Sequence, residues 1–137
     1  LKRGLKTLIK NPSLLFNHSR INIKTQFDLH HGYGVIEKAI NVMKEKDKYD
    51  FGKFVEKNTT YNPHIMFISK KKVLNNFFQD QFEWLFECEK IFGLENLRGY
   101  DQTRLYAYLA ERYMPFWFRK YSKVIEWPWI FSDTHLL

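Results

Sequence analysis

A single cysteine, Cys88, stands in a chain of 137 residues. No intrachain disulfide can form, no cysteine cluster exists to hold zinc, and a reducing compartment suits the chain. No apolar run approaches the ~20 residues that a membrane-spanning helix needs. Lys, Arg and Pro interrupt residues 1–16 too often for a secretory signal peptide, which points to a cytoplasmic protein, at most resting on the inner face of a membrane. An initiator methionine is lacking too. The sequence opens on Leu1 inside a basic, helix-like pattern and reads as a piece of something longer.

What is present is aromatic and basic. Phe, Tyr and Trp make up 18% of the chain, and at about 150–250 Å² buried per side chain they supply ample material for a core. A chain of this length buries roughly two thirds of its unfolded surface, so one domain over 1–137 is expected, with a tail over 122–137. The formal net charge of +7 is dispersed and interrupted by acids. Such a surplus gives salt-screened contact with phosphates or anionic lipid and no specific nucleic-acid recognition. Plain solvated surface is the competing reading.

Periodicity and breakers divide the chain. A basic helix over 1–10 stops at Asn11-Pro12; it suits either an anionic membrane surface or an ordinary solvated face. Residues 13–23 read as loop or short strand. The segment Thr25 to Gly34 carries Gln26, Asp28, His30 and His31 and reads either as an extended, chemistry-bearing stretch or as a capped turn leading into the next helix; neighbouring side chains of an extended segment point to opposite sides, so at most one histidine would face a given pocket. A helix follows from Tyr33 or Val35 to Lys48, then a turn-like stretch from Asp47 to Gly52. His64 to Ser69, with Ile65, Met66, Phe67 and Ile68 bounded by Pro63 and a lysine run, reads as a short buried strand. The next helix, Lys70 to Phe92, ends at Gly93. Asp101 is placed to cap a further helix, on which Leu105, Tyr108, Leu109, Arg112 and Tyr113 share one side while Arg104, Ala107 and Glu111 share another. Pro115 allows a kink or an end. In the tail, Trp127-Pro128-Trp129 suits stacking on a sugar or packing on the core, and His135 reads as incidental. The fold class expected is α/β, predominantly helical with a few short strands.

Several of these pieces together resemble a known family. Gln26-Phe27 with His31, Pro63-His64-Ile65-Met66-Phe67-Ile68 followed by Lys70-Lys71, Glu83-Trp84-Leu85-Phe86, and Arg104 with Ala110-Glu111-Arg112 are similar, in order and spacing, to the C-terminal half of a bacterial family of capsular and exopolysaccharide biosynthesis proteins. That family is carried largely as a domain of unknown function and is taken to be a glycosyltransferase. The resemblance covers about 25–121. The family commonly has an asparagine directly before the Met-Phe pair, where this chain has Ile65, so a polar contact there is absent or shifted to His64. The family's N-terminal half, with its His-Tyr-Arg-Arg segment, has no counterpart here.

The resemblance implies a partial glycosyltransferase-A-like fold that moves a sugar from a nucleotide-sugar donor to a glycan acceptor in capsular, exopolysaccharide or lipopolysaccharide biosynthesis. Such chemistry calls for charge at the diphosphate leaving group and for a carboxylate at the acceptor hydroxyl. Asp101 and Glu111 are the candidate catalytic carboxylates; His31, His64, Arg104 and Arg112 are the candidate substrate contacts. A divalent metal fits a full-length enzyme, yet there is no Asp-x-Asp in this chain and no ligand set can be assigned. Each residue has a plainer role open to it: Asp101 as a helix cap, Arg104 and Glu111 as an ion pair, His64 as a satisfied, half-buried histidine. The chain is accordingly expected to be inactive alone, and a non-catalytic basic binding or assembly module is the reading from another class.

Overall fold

The computed structural model of the chain describes residues 2–15, 21–95 and 97–128. Its elements are α1 (Lys2–Lys10), a 3-10 turn (Pro12–Leu15), α2 (Ile23–His31), α3 (Val35–Asn41), α4 (Glu45–Lys57), α5 (Lys71–Phe92), α6 (Tyr100–Thr103) and α7 (Leu105–Tyr121). The first four helices pack on one another, α2 touching α1, α3 and α4; α7 lies against α5 and α4.

Local chemistry explains most of the boundaries. Asn22 caps α2, its side chain accepting from the Thr25 amide at 2.8 Å, which satisfies one of the donors a helix start leaves open. The same side chain donates to the Glu56 carbonyl at 2.9 Å, and the Ile23 amide donates to the Asn58 carbonyl. The start of α2 is thereby tied to the end of α4. Gly32 (φ 117°) and Gly34 (φ 76°) make the turn from α2 into α3, through a region that side chains with a Cβ rarely enter. Where α1 crosses α2, a Cβ on Gly4 would sit 3.3 Å from the Leu29 carbonyl oxygen.

The core is aromatic and centres on α4, α5 and α7. Phe51 lies between Trp84, Tyr113 and Phe116, with ring centroids at 5.5, 5.7 and 5.1 Å, separations at which offset and edge-on pairs add to burial. The Trp84 indole N–H donates to the Ala39 carbonyl at 2.7 Å. One charge is built into this core. Asp47, 1% exposed, accepts from the Tyr113 hydroxyl at 3.1 Å and the Tyr121 hydroxyl at 2.6 Å, and pairs with Lys120 at 3.0 Å.

The α/β expectation is corrected. Among the described residues there is no strand and no sheet, hence nothing of a glycosyltransferase-A-like sheet. Residues 64–69 run as irregular chain, with a turn-like bond from the Met66 amide to the His64 carbonyl. A buried strand needs a paired edge and covered faces; here Phe67 alone of the four apolar side chains is half-buried, while Ile65, Met66 and Ile68 face solvent. The segment 25–34, expected to be extended or a capped turn, is instead mostly α2, which presents His31 inward and His30 outward. The expected turn from Asp47 to Gly52 is the body of α4, and α7 runs on through Pro115. The apolar residues of α5 fall on two faces. Phe77, Gln81, Trp84 and Cys88 are buried, whereas Phe78, Phe82 and Phe86 form an exposed ladder with centroids 6.0 and 6.3 Å apart. Trp129 and His135 lie outside the described residues.

Candidate functional site

The chemistry-bearing side chains converge where α6 runs into α7. Tyr100, Arg104, Tyr108 and Arg112 recur every four residues, the spacing that stacks side chains along one face of a helix. The Arg104 guanidinium lies 5.1 Å from the Tyr100 ring centroid and 5.3 Å from that of Tyr108, and its Nη1 donates to the Tyr100 hydroxyl. One turn on, the Arg112 guanidinium lies 5.6 Å from Tyr108, 5.1 Å from Phe27 of α2 and 4.8 Å from Tyr61. The His31 ring fits between Phe27 and Tyr108, at 4.4 and 4.5 Å. Each cation over a ring face is held by the ring's quadrupole, more strongly where water is excluded.

Arg104 is exposed and Arg112 is buried, so one ladder carries an open cation and an enclosed one. Arg112 Nη1 donates to the Tyr108 carbonyl at 3.0 Å and to Glu111 Oε2 at 3.4 Å. Its Nε, with His31 Nδ1 and Asp28 Oδ1, is a buried polar atom lacking a hydrogen-bond partner among the described residues, an arrangement that a folded protein rarely keeps without a ligand, a water or a function. Burial, then the charge of Arg112, pushes the His31 imidazole down to about 4, against a smaller opposing pull from the Asp101 backbone. His31 is therefore neutral at pH 7 and offers a hydrogen bond, not a charge. Burial also pushes the Asp28 carboxyl above its ordinary range, opposed by a hydrogen bond from the Gly34 backbone. Beside the ladder, His31, Val35, Phe92, Leu97, Gln102 and Leu105 line a cavity of about 210 Å³.

Of the six residues picked out in the sequence, five fall at this place. His31, Arg104 and Arg112 surround Tyr108, Glu111 joins through Arg112, and Asp101 is near His31 in the first turn of α6. The helix start at α6 is preceded by Gly99, so Asp101 is a first-turn acid and not the capping residue. Arg104 and Glu111 are not an ion pair with each other: Glu111 pairs with Arg112. His64 lies elsewhere, on a cavity lined by parts of 62–70 and 122–128. Sequence reasoning missed Tyr61, Tyr100, Tyr108 and Phe27 as parts of the site. The four-residue Tyr-Arg-Tyr-Arg repeat was the available signal, and it contradicts the assignment of Arg104 and Tyr108 to different sides. Among the described residues no group of three His, Cys, Asp or Glu side chains could hold a metal ion. The Cys88 thiol is pushed up to about 12 by burial and then by Glu87, so it is no nucleophile.

Among the described residues the fold is all-helical, and it displays a tyrosine and arginine ladder that ends on a buried arginine. Residues 4–123 match the family described as Domain of unknown function (DUF4422), and the chain belongs to that family. No curated protein and no solved structure matches it. No helix among the described residues is long and apolar enough to cross a membrane.

Proposed function

We propose that this chain is the helical, acceptor-side part of a glycosyltransferase that takes its sugar from a nucleotide-sugar donor and serves the assembly of a capsular, exopolysaccharide or lipopolysaccharide glycan. The observation that carries this reading is the Tyr100–Arg104–Tyr108–Arg112 ladder with Glu111 beside it. Tyrosine faces stack on the apolar faces of sugar rings and bases, while a planar guanidinium binds phosphate oxygens two at a time. Glu111, held by Arg112, is the carboxylate placed to receive a proton from an acceptor hydroxyl, and Asp101 beside His31 is a second. Arg104 contacts the ligand; Arg112, buried, holds Tyr108 and Glu111 in place.

The test is binding before turnover. Chemical shifts of 15N-labelled protein are followed while uridine diphosphate, a nucleotide sugar and a short oligosaccharide are added in turn. The expected result is a set of shifts confined to 100–112, with affinity for the diphosphate or the sugar weakened at least tenfold by Arg104→Ala. Shifts scattered over the lysine-bearing surface and unaffected by Arg104→Ala reject the reading. A second reading, a non-catalytic assembly module in the same kind of pathway, is favoured by the absence of a sheet among the described residues. It predicts binding of glycan with no response to any nucleotide.

A further inference from the structure

Away from the ladder, the chain holds two irregular segments against the α5–α7 pair. Residues 62–70 and 122–128 face each other across a cavity of about 1390 Å³ floored by Val73, Met114, Pro115 and Phe118. Apart from Phe67, which packs on Phe77 and Phe118, their large apolar side chains are exposed: Ile65 is 48% exposed, Met66 65%, Ile68 104%, Ile125 73% and Trp127 83%. Isolated exposed apolar residues are ordinary; here five are gathered along the two rims of one cavity. The charges around them are unbalanced. Lys70, Lys71, Lys72, Arg119 and Lys123 stand on these segments or at the adjoining helix ends, against the single carboxylate Glu126. Glu126 is already paired with Arg119 at 2.8 Å.

We propose that this rim docks the chain on an anionic lipid surface, with Ile65, Met66, Ile68, Ile125 and Trp127 entering the headgroup boundary and the 70–72 lysines with Lys123 on lipid phosphates. Charge decides the occupant. Apolar fingers with a basic collar match a surface that is apolar just beneath a layer of negative charge, and tryptophan is the side chain best suited to that boundary. The exposed Phe78–Phe82–Phe86 ladder of α5 is left out of the contact for the same reason: the lysines at its flank, Lys44 and Lys90, are paired with Glu83 and Glu87, so it has no unpaired basic collar. The proposal is independent of the sugar-transfer reading, since none of the ladder residues belongs to the rim.

The experiment is sedimentation of the full chain with vesicles of phosphatidylcholine containing 30% phosphatidylglycerol, beside vesicles of phosphatidylcholine alone. The tryptophan emission is recorded at the same time. Binding to the anionic vesicles is expected, weakened by salt, with a blue shift that Trp127→Phe abolishes. Ile65→Ser with Ile68→Ser is expected to lower the partition at least fivefold, and Lys70→Glu, Lys71→Glu and Lys72→Glu together at least tenfold. The control carries the same charge change on α3 and α4, as Lys38→Glu, Lys53→Glu and Lys57→Glu, and should lose less than threefold. Circular dichroism confirms that each variant keeps its helix. Failure to sediment with anionic vesicles at low salt overturns the proposal, as does equal loss in the control, which would mean adsorption through net charge alone. Loss of self-association in Ile68→Ser with no change in lipid binding also overturns it, in favour of a contact between copies.

Discussion

Acidifying the protein from pH 7 to pH 5 is expected to cost about 2 kcal/mol of stability through His31 alone. The imidazole titrates at 6.5 in an unfolded chain and is pushed down to about 4 in the fold by burial and then by Arg112. Below pH 6.5 the unfolded chain binds a proton that the folded chain refuses. The contribution is thus fully present above pH 6.5 and is lost as the pH falls through 4. With 7% of His31 exposed, solvent does little to soften the effect, and the cost is large against a total stability of roughly 5–15 kcal/mol. Urea denaturation followed by circular dichroism at half-unit steps reads it directly. At a slope of about 2 kcal/mol per molar urea, the midpoint should fall by about 1 M across the interval.

His31→Gln isolates the effect, because it keeps a polar side chain and removes the titration. The variant starts lower, since the packing of the ring between Phe27 and Tyr108 is lost, but its midpoint should change little between pH 7 and pH 5. Other groups act in separable ways. Asp28, raised by burial, gains stability on acidification and partly offsets the loss in both proteins alike. Asp80 works against burial and is held below the ordinary carboxylate range by Lys46 and Trp117, so its contribution disappears only at lower pH. Parallel pH profiles for the wild type and His31→Gln would refute the reasoning, as would a His31 resonance that titrates near 6.5.

Three further outcomes are expected. Asp47→Ala should cost about 3 kcal/mol in urea unfolding, because it leaves the buried Tyr113 hydroxyl without an acceptor and strips Lys120 of one of its two carboxylates, the other being Asp50 at 2.8 Å. Alkali should destabilise the protein in a window set by tyrosine: burial and then Asp47 raise Tyr121 to about 12 and push Tyr113 higher still, so stability is full below about pH 10 and falls as pH rises through 12, with a shallower fall in Tyr121→Phe. Trp84→Phe deletes the indole bond to the Ala39 carbonyl and should lower stability by about 1–2 kcal/mol, measured as a drop in thermal midpoint.

How much of this was legible in the sequence depends on what each pattern competes with. The helix over 71–92 was plain, since a 22-residue period bounded by a lysine run and Gly93 has no rival. Residues 64–69 were misread because a four-residue apolar run carries no period that separates a strand from an exposed tether. The same ambiguity hid α2: its apolar positions are few, and its start depends on Asn22 bonding to α4, a contact 34 residues away that no local rule detects. The site was visible in its residue types but not in its arrangement. His31 and Arg112 stood out as chemistry-bearing, yet their meeting requires side chains of α2 to reach α7, and of the rings that join them the sequence pattern places Tyr108 on the stripe of Leu105 and Leu109 and gives Phe27 and Tyr61 no part in the site.

That meeting also packs the ladder against α2. Helix α7 turns Leu109, Tyr113, Phe116 and Trp117 into the core while the preceding turns present Arg104, Tyr108 and Arg112. Arg112 and Tyr113 are consecutive, so the residue that closes the ladder is covalently next to the one that bonds Asp47. Pro115, buried on the same helix, has no amide hydrogen to give, which leaves the Glu111 carbonyl without its helical donor at the edge of the ladder. The helix continues through this break, with Phe116 packed on Phe51 of α4 at 5.1 Å. The buried Asp47 hub and the tyrosine and arginine ladder therefore adjoin on one helix.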